Sequence, residues 1–206
     1  NFSHLTEKQD NLNYCDLACG EGFYTNNLHH SLNTSAQLKQ KFSSVNTIGL
    51  DISNPAIKSA CKKNQTIQWL IASLARIPVK DNSQNLVTGL FFHFDLEEVS
   101  RILRPGGIFV MVTTGKNHLI ELRKEIYNTL KDESSKDFSG GQKHIKHLQK
   151  MSFQDTKTLN SAAEILSLLK MTPHYWRCTQ DKKAHLQSLE KLDISIDIQL
   201  DIFTLK

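Results

Sequence analysis

Residues 14–25 read YCDLACGEGFYT. A short apolar run closes on Gly20 and Gly22, and two aromatics follow at Phe23 and Tyr24. Two chemistries compete for this stretch. Either Cys15 and Cys19 form half of a metal site, or the two glycines bend a loop around a ligand. Strand side chains alternate faces, so positions four apart share a face only where the strand runs straight. Here the chain turns, and no second Cys/His pair lies nearby. The other cysteines, Cys61 and Cys178, complete no C-x-x-C pair. The cysteines therefore read as small apolar packing residues, with no metal ligand assigned. The glycines read as the turn from a strand into a helix.

The glycine spacing limits what such a turn can hold. A helix starting near Phe23 directs its positive N-terminus at a ligand. The phosphate-binding loop needs Gly-Lys-Ser/Thr, which is absent. The dinucleotide fingerprint G-x-G-x-x-G fails at its third glycine, where Thr25 stands. A pyrophosphate is thus disfavoured. Asp51 closes the second apolar run, where a carboxylate accepts hydrogen bonds from ribose hydroxyls at the carboxyl edge of a sheet. Asp16, at the end of the first run, can anchor an ammonium directly or through water. A ligand with a ribose and an α-amino acid but no phosphate is S-adenosylmethionine.

Outward from this loop, short apolar runs recur at 46–53, 67–73, 85–92 and 107–114. Each is bounded by polar or Gly/Pro residues, as buried parallel strands are. Helical patterns lie between them. SNPAIKSACKKN (53–64) has a Ser/Asn start with Pro55 in its first turn, and puts Ile57, Ala60 and Cys61 on one face. DLEEVSRILRPGG (95–107) spaces Leu96, Val99, Ile102 and Leu103 helically before Pro105. NHLIELRKEIYNTLK (117–131) carries Leu119, Leu122, Ile126 and Leu130 on a stripe that reads as core. A capping-box pair, Ser161 and Glu164, opens another helix. The final DISIDIQLDIFTLK (193–206) alternates strictly, with isoleucines on one face and Ser195, Asp197, Gln199 and Asp201 on the other. That is the pattern of a half-exposed antiparallel strand at or near a sheet edge. The expected fold is α/β: a three-layer sandwich with a mostly parallel sheet and one antiparallel C-terminal strand. Residues 1–13 read as the remnant of an N-terminal segment or linker, and 14–206 as one domain. Residues 31–44 read as a long polar loop, and about 134–158 as a polar, basic insertion.

The bulk numbers suit this. The chain has 206 residues, 39% of them hydrophobic, with a net charge of +4 and nine histidines. No apolar run is long enough to span a membrane, and the polar start lacks a signal peptide's apolar core. With few cysteines, a reducing, cytoplasmic setting is expected. A mild basic excess is compatible with a nucleic-acid partner. With no initiating Met, the chain is expected to be a fragment or to have lost a leading segment. No oligomeric state follows from the residues, and a homodimer is compatible with them.

DLACGEGFYT, GLDIS, ASLARIPVKDNSQNLV and LRPGG resemble, in order, the motifs of class I S-adenosylmethionine-dependent methyltransferases. That resemblance implies a Rossmann-like fold. CGEGFYT, GLDISNPAIKSACKK, RILRPGG, HLIELRKEIYN and LLKMTPHYWR are similar, more narrowly, to the bacterial 23S rRNA (guanine-N1)-methyltransferases. The match implies methyl transfer to N1 of a guanine in ribosomal RNA. It implies that Gly20, Glu21 and His118 contact the cofactor, alongside Asp16, Gly22, Asp51, Ile52, Ser73 and Leu74. The plainer account of His118 is a surface histidine at a helix start. The family also carries an N-terminal zinc-binding domain with a cysteine/histidine cluster, which would precede Asn1, and a Tyr-Ala-Pro stretch where this chain has LFFHFD.

Guanine N1 must lose its proton to expose a lone pair in the ring plane, so a base is expected. His93 is the candidate, flanked by Phe91, Phe92 and Phe94, which could stack on a nucleobase. The plainer account is that these residues pack the strand end. Lys143, Lys146, Lys150 and Arg177 are candidate phosphate contacts on RNA. Two other functions share the same cofactor loop: a methyltransferase acting on a quinone or phenolic metabolite, and a non-catalytic cofactor- or RNA-binding scaffold. The apolar LFFHF stretch suits the first of these at least as well as it suits guanine. The intact Asp16, Gly20, Gly22 and Asp51 argue against the second.

Overall fold

The computed structural model describes residues 9–92, 96–130 and 144–206. Seven strands form one sheet: β1 (Gln9–Leu17), β2 (Phe42–Asp51), β3 (Gln68–Ile71), β4 (Gln84–Leu90), β5 (Leu103–Thr114), β6 (Ile145–Leu159) and β7 (Leu192–Leu205). Their order is β3-β2-β1-β4-β5-β7-β6. β1 pairs in parallel with β2 and β4, β2 with β3, and β4 with β5. The C-terminal pair is antiparallel, so the expected mostly parallel sheet is present. β1 begins at Gln9, inside the stretch expected to be a linker.

The chain divides into two compact units. The first holds residues 1–112, 138–150 and 200–206. Its helices are α1 (Phe23–Thr34), α2 (Ala36–Lys41), α3 (Asn54–Lys63) and α4 (Leu96–Ile102). Because β1 is central, Tyr14, Cys15, Asp16 and Leu17 are all buried, whichever face they point to. Cys15, Leu17, Leu50, Val87, Val99, Ile102 and Phe109 form the core, completed by Phe203 stacked 5.7 Å from Phe109. In α3 the Ser53 hydroxyl caps the Ala56 N–H and Pro55 occupies the first turn. Ile57 and Ala60 are buried there, but Cys61 is exposed, outside the face assigned to it.

Two expected loops are ordered structure. Residues 31–44 contain the end of α1, all of α2 capped by Ser35, and the start of β2. The described part of the expected insertion is mostly β6. Most of its side chains are exposed, Leu148, Met151 and Phe153 among them, while Ile145 is buried; at this sheet edge its lysines discourage further pairing.

The second unit holds residues 113–137 and 151–199. It contains α5 (Ile120–Ile126), α6 (Ala162–Lys170), a 3-10 helix (Pro173–Arg177) and α7 (Gln180–Ser188). Leu119, Leu122 and Ile126 pack with Ile165, Leu169, Leu186 and Ile194 in a separate core. The Ser161 hydroxyl accepts from the Glu164 N–H, and the Glu164 carboxylate accepts in return from the Asn160 N–H. This reciprocal cap is worth about 1 kcal/mol.

The polarity expected for β7 does not hold. Asp197 and Asp201 are buried, while Ile196, Ile198 and Ile202 are only half-buried. β7 lies between β5 and β6, one strand in from the edge, as expected. Each buried carboxylate has its own partner. In the second unit Asp197 accepts from the Asn117 N–H at 3.0 Å. In the first, Asp201 meets His147 at 2.8 Å.

Candidate active site

The turn after β1 is built from alternate residues in left-handed conformation: Ala18 (φ 55°), Gly20 (φ 55°) and Gly22 (φ 75°). An alanine in this region costs roughly 1–2 kcal/mol, a strain typical of functional turns. At Gly22 a side chain is also blocked by space, because the Trp69 indole packs against it and against Gly49. Trp69 is anchored by its N–H to the Asn64 carbonyl at 2.8 Å. Around Gly20, by contrast, a Cβ would meet nothing. α1 starts directly at Phe23, with Gly22 as its N-cap.

Asp51 ties this turn to the second one. Its Oδ2 accepts from the Gly20 N–H at 2.9 Å, and its Oδ1 from the Ser53 N–H at 2.8 Å. Each carboxylate oxygen has two acceptor directions, so capacity for further donors remains. Asp51, Ile52, Ser73 and Leu74 line one cavity of about 550 Å³ with Ala18, Phe91 and Phe92. Four of the expected cofactor residues thus lie together.

Asp16 stands elsewhere in this arrangement. It is 2% exposed, and its carboxylate accepts from the Thr25 hydroxyl at 2.5 Å and the Thr88 hydroxyl at 2.6 Å. Burial pushes its carboxyl up to about 6, against the lowering by those hydroxyls. Its two hydroxyl donors tie β1 to α1 and β4. Burial also pushes both loop thiols up, that of Cys19 to about 12.

The remaining assignments scatter. The Glu21 side chain is exposed and engaged by Lys63 at 2.7 Å and Ser59 at 2.9 Å on α3, and Lys63 holds its carboxyl below the usual range. His118 belongs to the second unit, where its Nδ1 accepts from the Asp197 N–H at 3.3 Å. Burial lowers its pKa, so the neutral ring carries its proton on Nε2. Lys146 and Lys150 are exposed, two pleats apart on β6, and Arg177 is exposed in the second unit. His93, Phe94 and Lys143 lie outside the described residues.

Trp69, Thr25 and Thr88 escaped sequence reading, as did the grouping of Phe23 and Tyr24 with Phe91. Trp69 had a signal in Gly22 and Gly49, which leave room for a ring. Thr25 and Thr88 had none, since Thr88 meets Asp16 through the register of β1 with β4 and Thr25 through the turn that places α1. Phe23, Tyr24 and Phe91 form an exposed aromatic group, with ring centroids 5.2 Å apart for Phe23–Tyr24 and 6.5 Å for Tyr24–Phe91. Phe91 itself has φ 58°, a second strained residue beside the cavity. Among the described residues, no helix is long and apolar enough to cross a membrane.

Residues 8–163 match the methyltransferase domain family. A Bacillus subtilis (strain 168) relative, YxjB, provisionally named a 23S rRNA (guanine-N(1)-)-methyltransferase, is 26% identical over 97% of this chain and 69% of its own. Demethylmenaquinone methyltransferase of Lactococcus lactis (strain IL1403) is 31% identical over 72% of this chain and 62% of its own. The solved structure of YcgJ from Bacillus subtilis superimposes with a TM-score of 0.60 at 16% identity, covering 97% of this chain and 94% of that one, which is a likeness of fold. With a family match running from before β1 to the start of α6, on the strand order and glycine turn described above, the chain belongs to the class I methyltransferase-domain family.

Proposed function

We propose that this chain is an S-adenosylmethionine-dependent methyltransferase acting on N1 of a guanine in 23S rRNA. The observation that carries the acceptor is the extent of the likeness to the Bacillus subtilis relative, which takes in 97% of the chain. The likeness to the quinone enzyme takes in 72%.

The cavity residues fit the cofactor. Asp51 has acceptor capacity left for ribose hydroxyls, and Gly20 lets the backbone come close to a ligand. Ile52 and Leu74 offer apolar walls for an adenine, and the start of α1 offers its positive end. When bound, S-adenosylmethionine supplies a methyl group on a sulfonium, already activated for in-line displacement. The chain's own task is then to position and to exclude water. Asp16 is a positioning residue: it holds the end of β1 to Thr25 and Thr88, and so holds the turn. Tyr24, Phe91 and Phe92 give a flat acceptor faces to stack on, and a guanine must leave its helix to reach them. His93 is the proposed base for the N1 proton.

One observation favours a second acceptor. The cavity mouth is apolar and aromatic, as a quinone or phenolic ring would need, and the quinone enzyme is among the relatives. One experiment separates the two. The protein is incubated with methyl-labelled S-adenosylmethionine and either ribosomal RNA from an unmethylated strain or demethylmenaquinone, and the product is mapped. Label on a guanine N1 supports the proposal, and label confined to the quinone overturns it.

A further inference from the structure

We propose that the surface carrying Trp176, between α6 and α7, binds single-stranded RNA. The choice of RNA rests on the ribosomal RNA reading above; the surface itself does not. Trp176 is 86% exposed and Met171 83%. Tryptophan is seldom left so open, because its ring gains so much from burial. Its mounting is rigid. Tyr175 packs on the core of the second unit and meets the Trp176 ring edge-on at 5.3 Å. The Lys183 ammonium stands 4.2 Å from the Tyr175 ring centre. His174, one residue earlier, is held by the Tyr127 hydroxyl at 2.9 Å. A ring presented from a fixed base loses little conformational freedom on binding.

The charge around it is one-sided. Across residues 170–183 there are four cations, Lys170, Arg177, Lys182 and Lys183, against one carboxylate, Asp181. An open aromatic face set among cations is what a nucleic acid strand uses: bases stack on the ring and phosphates meet the charges. A duplex hides its base faces, which selects single strands, loops and bulges. A membrane surface would need a broad apolar face. α7 has only Leu186 buried and no such outward stripe, and α6 buries its apolar side in the core.

The test uses the full chain with a short fluorescein-labelled single-stranded RNA, the matching duplex, and vesicles containing phosphatidylglycerol. Trp176→Ala is expected to weaken single-strand binding about 5- to 100-fold, since one stacked base is worth ~1–3 kcal/mol. Trp176→Phe is expected to restore most of it, and the duplex to bind less well than the strand. Arg177→Gln and Lys182→Gln are each expected to lower the salt slope by about 0.7. Equal affinity for wild type and Trp176→Ala overturns the proposal, as does partition of Trp176 onto the vesicles without RNA binding. Methylation of ribosomal RNA that is indifferent to Trp176 sinks this surface and leaves the acceptor reading standing. Trp176-dependent strand binding without ribosomal RNA methylation does the reverse.

Discussion

Thr88 on β4 donates its hydroxyl to Asp16 on β1 at 2.6 Å, and that bond fixes the direction of another. An ionised carboxylate only accepts, and threonine has a single hydroxyl proton. The Tyr14 hydroxyl, 2.9 Å from the Thr88 oxygen, must therefore be the donor between them. Tyr14 feeds Thr88, Thr88 feeds Asp16, and Thr25 feeds the other carboxylate oxygen. Burial and the Asp16 charge raise the Tyr14 pKa, which keeps that donor protonated. The turn after β1 thus hangs from a buried carboxylate with a hydroxyl donor on each oxygen.

That anion makes stability depend on pH. Burial pushes the Asp16 carboxyl up to about 6 in the folded chain, from an ordinary 3.8. A raised acid binds more protons folded than unfolded between those values. Its cost is therefore present in full above pH 6 and relieved as pH falls from 6 towards 4. Asp16→Asn has no such titration. The stability of wild type relative to Asp16→Asn should rise by on the order of 2–3 kcal/mol between pH 8 and pH 4, read from paired urea titrations. Parallel profiles for the two proteins would refute a raised Asp16.

Gly20 and Gly22 should fail in different ways. Both have positive φ, but only Gly22 faces the Trp69 ring. Gly22→Ala carries backbone strain and a steric clash, and is expected to lose more than about 2 kcal/mol of stability. Gly20→Ala carries strain alone, about 1 kcal/mol, yet puts a methyl group on the backbone proposed to meet the cofactor. Calorimetric titration with S-adenosylmethionine should find its affinity reduced at least tenfold in a protein that melts almost normally. Normal cofactor affinity in Gly20→Ala would remove this turn from the site.

Much of this site was legible from residues alone. Gly20, Gly22 and Asp51 announced it because a turn with positive φ and a carboxylate at a strand end leave marks in composition. The parallel strands were legible because a strand covered on both faces is mostly apolar, as Ile108–Val112 of β5 is. β6 was not, since from Leu148 to Thr158 it mixes apolar and polar residues that are almost all exposed, which leaves no clear period. β7 misled for the opposite reason. Its alternation of isoleucine and aspartate is real, but Asp197 and Asp201 are buried with private partners, Asn117 and His147, that no local pattern reveals.

Arg101 should prove irreplaceable by lysine. Its guanidinium grips both oxygens of Glu98, at 2.7 and 2.8 Å, and reaches Asp81 and the carbonyls of Ile77 and Val79. The Ile77 N–H also donates to Glu98 at 2.7 Å, so α4 and residues 77–81 are locked together. Hydrogen bonding by Arg101 holds the Glu98 carboxyl down at about 2. A depressed acid contributes stability above its ordinary 4.5 and loses it as pH falls from there towards 2. A lysine offers one point charge in place of the planar fork. Arg101→Lys is expected to cost about 1–3 kcal/mol at pH 7 and to flatten the acid limb of the stability curve. An unchanged acid limb would show that the pair carries none of it.

Phe91 offers the sharpest test of the acceptor face. Its φ of 58° is unfavourable for a bulky side chain, and half of its surface is open at the cavity. Strain kept at such a position argues for a use beyond packing. Phe91→Gly relieves the backbone, while glycine loses more freedom on folding, so the melting temperature should change little. The ring, however, is gone. Loss of one stacking face is expected to lower kcat/KM for the methyl acceptor about 10-fold or more, with S-adenosylmethionine affinity unchanged. If cofactor affinity falls in step with turnover, Phe91 serves the cofactor instead. If neither moves, the aromatic group at Tyr24 and Phe91 has no part in binding the acceptor.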